Sequence, residues 1–279
     1  MSDSKASADL SPAQSLKKPG VYDVKTLRRR LEGGDHAAGY ALACAYLYGM
    51  NATAVDQQQG AALLAACVER KVPHAASWLA VCRWFGMGVP ADLAARDALL
   101  KSALEEGSSD SSDPDPFAQL IWANVAPADA LDAKARNALV SRAIPRLREL
   151  ADSANDARAQ YECGLLHLFG QAGHVERDAG RAVASFARCA EHGHADAQFR
   201  MGNACAAGEG VAQDAARAEA WWAAAAAQRF PVAMLALARL RLQQAAALME
   251  GAAAAGAGGE AAGKSAAALK AIADEWKEL

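Results

Sequence analysis

Apolar and small residues recur along this chain at spacings of three and four, broken by glycine turns and aspartates, a pattern that predicts pairs of amphipathic helices. The clearest unit spans residues 195–227. Its first helix runs from Ala197 to about Ala207, with Ala197, Met201 and Gly202 on one face, spaced for close packing against a neighbour. Gly208-Glu209-Gly210-Val211 then turns the chain. Glycine reaches positive φ cheaply, so Gly208 can end the helix while Val211 plugs the corner. Asp214 is placed to cap the next helix through its carboxylate, and Arg217, Ala218, Trp222 and Ala225 continue that helix.

Superposing other segments on their turn glycines and capping aspartates recovers the same unit. Asp56 and Asp92 are 36 residues apart, as are Asp178 and Asp214, a period typical of solenoids. Eleven positions before Gly49, Gly86, Gly170 and Gly208 stand Ala38, Ala75, Ala159 and Ala197; seven before stand Leu42, Leu79, Cys163 and Met201. Six before stand Ala43, Ala80, Gly164 and Gly202, where a larger side chain would push the partner helix away. Eight after the caps stand Leu64, Leu100, Phe186 and Trp222, so knobs and holes recur in register.

The pattern Ala-x3-[Leu/Met]-Gly-x5-Gly-x-Gly-Val-x2-Asp-x2-[Lys/Arg]-Ala, best seen in AQFRMGNACAAGEGVAQDAARAEAWW, resembles the Sel-1-like repeat, a relative of the tetratricopeptide repeat. The resemblance covers about residues 36–107 and 156–247. It implies an all-α fold, an α-solenoid built as a right-handed superhelix of antiparallel helix pairs. Residues 36–107 and 156–230 then hold two repeats each. Between them, 108–155 combines the acidic loop SSDSSDPDP with a degenerate repeat: a first helix over Phe117–Asn124 and a second over Leu131–Leu150 that Pro145 should kink or split. A hinge between two domains is the alternative for this stretch.

The ends read as caps. Residues 1–20 are small and polar and read as a disordered tail, and 21–35 as a basic capping helix. Residues 231–279 read as a degenerate last repeat with an alanine and glycine loop and a final helix, Ser265–Leu279. That helix carries Leu269, Ile272, Trp276 and Leu279 on one stripe, either to pack back on the array or to form a weak dimer seam.

Composition narrows the function classes. Alanine dominates the 53% hydrophobic fraction, so the expected core is thin and anchored by Trp78, Trp84, Trp221 and Trp222. A net charge of −3 offers no clustered cations for a nucleic-acid backbone. No secretion leader or apolar run of membrane-spanning length is visible, so a soluble, cytoplasmic protein without membrane insertion is expected. Six cysteines are too unevenly spaced for a secreted framework and read as reduced core thiols; Cys44–Cys67 and Cys163–Cys189 pairs in an oxidising compartment are the alternative.

Catalytic motifs are missing. His174, His192, His194 and Cys189 crowd together in sequence, but Cys189 belongs on a buried face, so zinc is not expected, nor any other cofactor. No phosphate loop, nucleophile elbow or activated cysteine occurs, and a nonenzymatic protein is expected. By resemblance to tetratricopeptide-like arrays, the first helix of each hairpin lines a concave groove that binds a protein or peptide segment. Its outward positions hold Tyr40, Ser77, Tyr161 and Phe199 in one row, flanked by His74, Val81, Trp84, Arg158, Leu165, Asp196, Asn203 and Arg239. Aromatic anchors amid mixed polar groups suit protein recognition. The implied role is a scaffold or adaptor; an inhibitor capping a toxin or enzyme and a disulfide-bearing assembly factor are the alternatives.

Overall fold

The computed structural model describes residues 23–50, 53–105, 114–153, 156–254 and Lys270. The polar tail, most of the acidic loop, the alanine and glycine stretch and the expected helix Ser265–Leu279 lie outside the described residues, apart from Lys270 itself. Among the described residues the chain forms twelve helices and no named strand. A cap helix α1 (Val24–Glu32) precedes five hairpins: α2 (His36–Tyr48) with α3 (Gln57–Glu69), α4 (Ala75–Phe85) with α5 (Leu93–Glu105), α6 (Pro116–Val125) with α7 (Ala133–Asp152), α8 (Ala157–Phe169) with α9 (Ala179–Glu191), and α10 (Ala195–Ala207) with α11 (Ala215–Ala227). The last helix, α12 (Pro231–Ala254), packs on α11. Each hairpin closes on itself and sets its second helix against the next hairpin's first, which makes the chain an α-solenoid.

Local chemistry explains the hairpins. Asp56, Asp92, Asp178 and Asp214 accept bonds from the amides of Gln59, Ala95, Arg181 and Arg217 at 2.9–3.0 Å, satisfying first-turn donors that have no helical partner. Gly86 and Gly208 end α4 and α10 in the left-handed conformation, at φ 72° and 74°. The small residue six before the turn is a hole for the aromatic on the paired helix. A Cβ at Gly164 would lie 2.5 Å from the Phe186 ring, and one at Gly202 would enter the Trp222 indole.

Gly210 joins successive repeats. Its φ is +72°, and a Cβ there would strike the Ala179 carbonyl at the start of α9 in the preceding hairpin. Gly210→Val should therefore cost about 2 kcal/mol or more, since left-handed strain alone costs roughly 1–2 kcal/mol and backbone cannot yield as a side chain does. Urea unfolding checks this, and a neutral result would remove Gly210 as the contact that fixes repeat spacing.

Two expectations need correction. α7 runs unbroken through Pro145, whose exposed position leaves the freed carbonyl one turn earlier to solvent. The hairpin α6–α7 packs between α5 and α8, as expected of a repeat that continues the array. Trp84 and Trp222 are only half-buried, whereas Trp221 and Trp78 are core.

The array also closes on itself. The turn after α2 reaches the far end of α11, where the Val55 amide donates to the Gln228 carbonyl at 3.0 Å and Gly49 lies close against the Gln228 side chain. Gln228 in turn donates to Gln198 at 2.6 Å. An open solenoid stacks each repeat only on its neighbours; here the first repeat also touches the last hairpin.

Candidate partner-binding surface

The first helices α2, α4, α6 and α8 converge on Arg158. Its guanidinium lies 3.8 Å from the Trp78 ring centre and 3.7 Å from that of Phe117, and it donates to Ser77 Oγ at 3.1 Å. Burial works against this charge, but Tyr40, Asp115 and Glu162 hold its pKa above the usual arginine value. Burial likewise pushes the Asp115 carboxyl up. A 2.9 Å bond from His74 Nδ1, together with the charges of His74 and Arg158, more than reverses that and leaves it lowered. One turn away, His194 is sandwiched between Tyr48 and Tyr161 at 4.4 and 4.7 Å and accepts the Ala197 amide on Nδ1, capping α10.

Much of the expected groove is thereby filled from within. Ser77, Arg158 and Tyr161, expected at outward positions, are 0%, 1% and 5% exposed. The cause is the closure itself, since Arg158 and His194 occupy the space a partner would need. Tyr40 and His74 are half-buried beside them. Val81, Trp84, Leu165, Asp196 and Phe199 are half-buried, while Asn203 and Arg239 are exposed. The sequence pattern thus grouped the residues of one face and placed Trp78 in the core, but missed the role of His194, whose signal was a histidine at a helix N-cap.

Ser77, His74 and Asp115 meet here, but not as a nucleophile relay. Ser77 Oγ donates to the His74 carbonyl at 2.9 Å and is sealed from solvent, so it has neither an imidazole base nor room for a substrate. All six cysteines are free and buried, so the Cys44–Cys67 and Cys163–Cys189 pairings do not form. Cys67 Sγ points at the His36 carbonyl and Cys189 Sγ at that of Ala157. Burial raises the thiols of Cys44 and Cys82 to about 12 and that of Cys163 to about 11, which disfavours the nucleophilic thiolate. His174 bonds Asn137 at 2.6 Å while His194 caps α10, so the residues of the zinc reading serve separate ends. No helix of the described residues is long and apolar enough to cross a membrane.

The His194 sandwich makes stability depend on acid. Burial, and secondarily the Arg200 charge, lowers the His194 pKa from 6.5 to about 3, while Tyr48 and Tyr161 cover its faces. Below pH 6.5 the unfolded chain takes up this proton and the folded chain does not. Stability is therefore full above that pH and falls by about 1.4 kcal/mol per unit beneath it, roughly 2 kcal/mol by pH 5. His194→Asn keeps a capping oxygen and should flatten this slope in urea titrations. An unchanged slope would assign the acid sensitivity to other groups, such as His167, whose pKa burial also lowers.

The surface opens toward the C-terminal end. On α12, Val232 and Leu235 are 49% and 67% exposed, continuing the rows of Asp196 and Phe199 one repeat on, and Leu242 on the same helix is 58% exposed. Phe199 packs on Phe230 at 6.1 Å, and Arg239 stands one period after Asn203. Residues 36–65, 73–95, 157–194 and 195–230 match the Sel1 repeat. These four stretches are Sel1 repeats. Among solved structures it is similar to a Sel1 repeat protein from Oxalobacter formigenes, at 21% identity and TM-score 0.41, covering 78% of this chain and 90% of that one. It is also similar to a protective antigen of uropathogenic Escherichia coli with an SLR fold, at 19% identity and TM-score 0.37, covering 84% of this chain and 48% of that one. No curated protein matches by sequence. Sel1 repeat chains are generally protein-interaction scaffolds rather than catalysts.

Proposed function

We propose that this Sel1 repeat chain is a nonenzymatic adaptor that holds a segment of a partner protein on the open surface formed by α10 and α12. The observation that carries this reading is the change in exposure along one row. Tyr161 is sealed at 5%, yet Leu235, two periods on, is 67% exposed. The chain's own core occupies the groove in the earlier repeats and leaves it open after α10. Apolar Leu235 and Val232 beside Phe199, with Asn203 and Arg239 as polar neighbours, suit an extended or helical protein segment.

The test is capture from extracts of the native cell on immobilised protein, with the partner identified by mass and its affinity measured. Leu235→Asp should leave melting unchanged, because an exposed position contributes little packing. It should weaken the identified complex about thirtyfold, as expected when an apolar anchor worth about 2 kcal/mol is lost. Equal binding by Leu235→Asp would move the site off this surface.

A further inference from the structure

Between the third and fourth matched repeats the surface holds a pocket of about 180 Å³, walled by Leu168, Val183 and Phe186 with Ala204 beside them and with Arg200, Asn203 and Glu209 also lining it. The repeat register shows why it is there. Eight residues before the turn glycine the second repeat has Trp78, which is core, and the fourth has Arg200. Four before, Cys82 becomes Ala204, and one after, Met87 becomes Glu209. The position that carries a buried indole in the second repeat thus carries an arginine at the edge of the hollow in the fourth.

The two polar groups beside the hollow on α10 are donors. Arg200 uses Nε for its hydrogen bond to Tyr161 Oη at 2.8 Å and its ion pair with Asp196 at 3.4 Å, and its guanidinium lies over the Tyr161 and Phe186 rings, so that among the described residues neither terminal amino group has a hydrogen-bond partner. Asn203 Oδ1 accepts the Trp222 indole N–H at 3.1 Å; since that N–H can only donate, the Asn203 amide nitrogen is left facing elsewhere as a donor. Glu209, on the turn, disfavours an anion on its own side.

We infer that this pocket is the anchor site for the partner, receiving one large apolar side chain of a protein segment whose neighbouring acidic residue meets Arg200 and Asn203. This rests on the adaptor reading above. The volume is below the few hundred Å³ typical of small-molecule sites and suits a single side chain. A carboxylate on the α10 side completes the terminal amino groups of Arg200, the geometry guanidinium favours.

The test selects a displayed random peptide library on the full chain. Enriched peptides should share an apolar residue beside an acidic one. Ala204→Leu, which fills the pocket, should weaken them at least tenfold at unchanged melting, and Arg200→Gln should weaken them and reduce the salt dependence. If Ala204→Leu folds poorly, replacing the apolar peptide residue by alanine makes the same test from the other side and should cost at least tenfold. Peptides that lack the pattern, or bind Ala204→Leu as tightly as the parent, overturn the pocket. Should such peptides still be lost on Leu235→Asp, the adaptor surface stands without it, while insensitivity to both changes, or no enrichment at all, removes both.

Discussion

Replacing Arg158 by alanine should cost about 3–5 kcal/mol, the range for breaking a buried charged network by removing one member. The side chain is 1% exposed and fills the space between Trp78 and Phe117, so its loss leaves a cavity where four helices meet. It also removes the Arg158 charge that helps hold the Asp115 carboxyl low in the interior, leaving the bonds from His74 and the Phe117 amide. A lysine cannot repair the site, because the guanidinium stacks flat between two rings and a compact ammonium does not. Arg158→Lys should thus recover only a minor part of the loss, whereas Arg158→Met should recover more by restoring volume without a buried charge. Chemical denaturation of the three variants decides the order. If the lysine variant is as stable as the parent, the planar sandwich does not hold the array closed.

Arg158 also shows where sequence reading reached its limit. Hairpins, caps and turns were legible because each depends on residues within one repeat: Asp214 caps the helix that follows it, and Gly208 ends the one before it. The face shared by Tyr40, Ser77 and Tyr161 was legible for the same reason, since register alone places them in a row. Their burial was not, because it depends on contacts across repeats. Arg158 is 81 residues from Ser77 and 41 from Phe117, and the Val55 to Gln228 bond spans almost the whole array. Family resemblance points the other way, since a tetratricopeptide-like groove is expected to be open. The polar residues that looked like a recognition surface, His74 and Arg158 among them, are the chain's own ligands for its own groove. Only beyond α10, where no further repeat among the described residues packs on the surface, does the row keep the exposure that the pattern implied.

Trp221→Ala should also cost about 3–5 kcal/mol, the usual range for emptying a buried tryptophan site. The adjacent Trp222→Ala should cost less than half of that. Register favours Trp222 as the core residue, since it stands eight after the cap like Leu64, Leu100 and Phe186, and its ring does lie over Gly202. Yet its indole N–H reaches out to exposed Asn203, and the residue is half-buried, so truncation forfeits only part of the transfer energy. Trp221 stands one position earlier, where the other repeats carry half-buried Leu63, Leu99 and Ser185, and it is wholly buried in the main core with Met201, Cys205 and Ala218. Asp214→Ala, which removes one capping bond, should cost about 1 kcal/mol and provides the lower reference. The expected order of damage in urea unfolding is Trp221 well above Trp222 and Asp214. A Trp222 variant as unstable as the Trp221 variant would mean that register, and not the packing seen around the closed array, decides which indole carries this repeat.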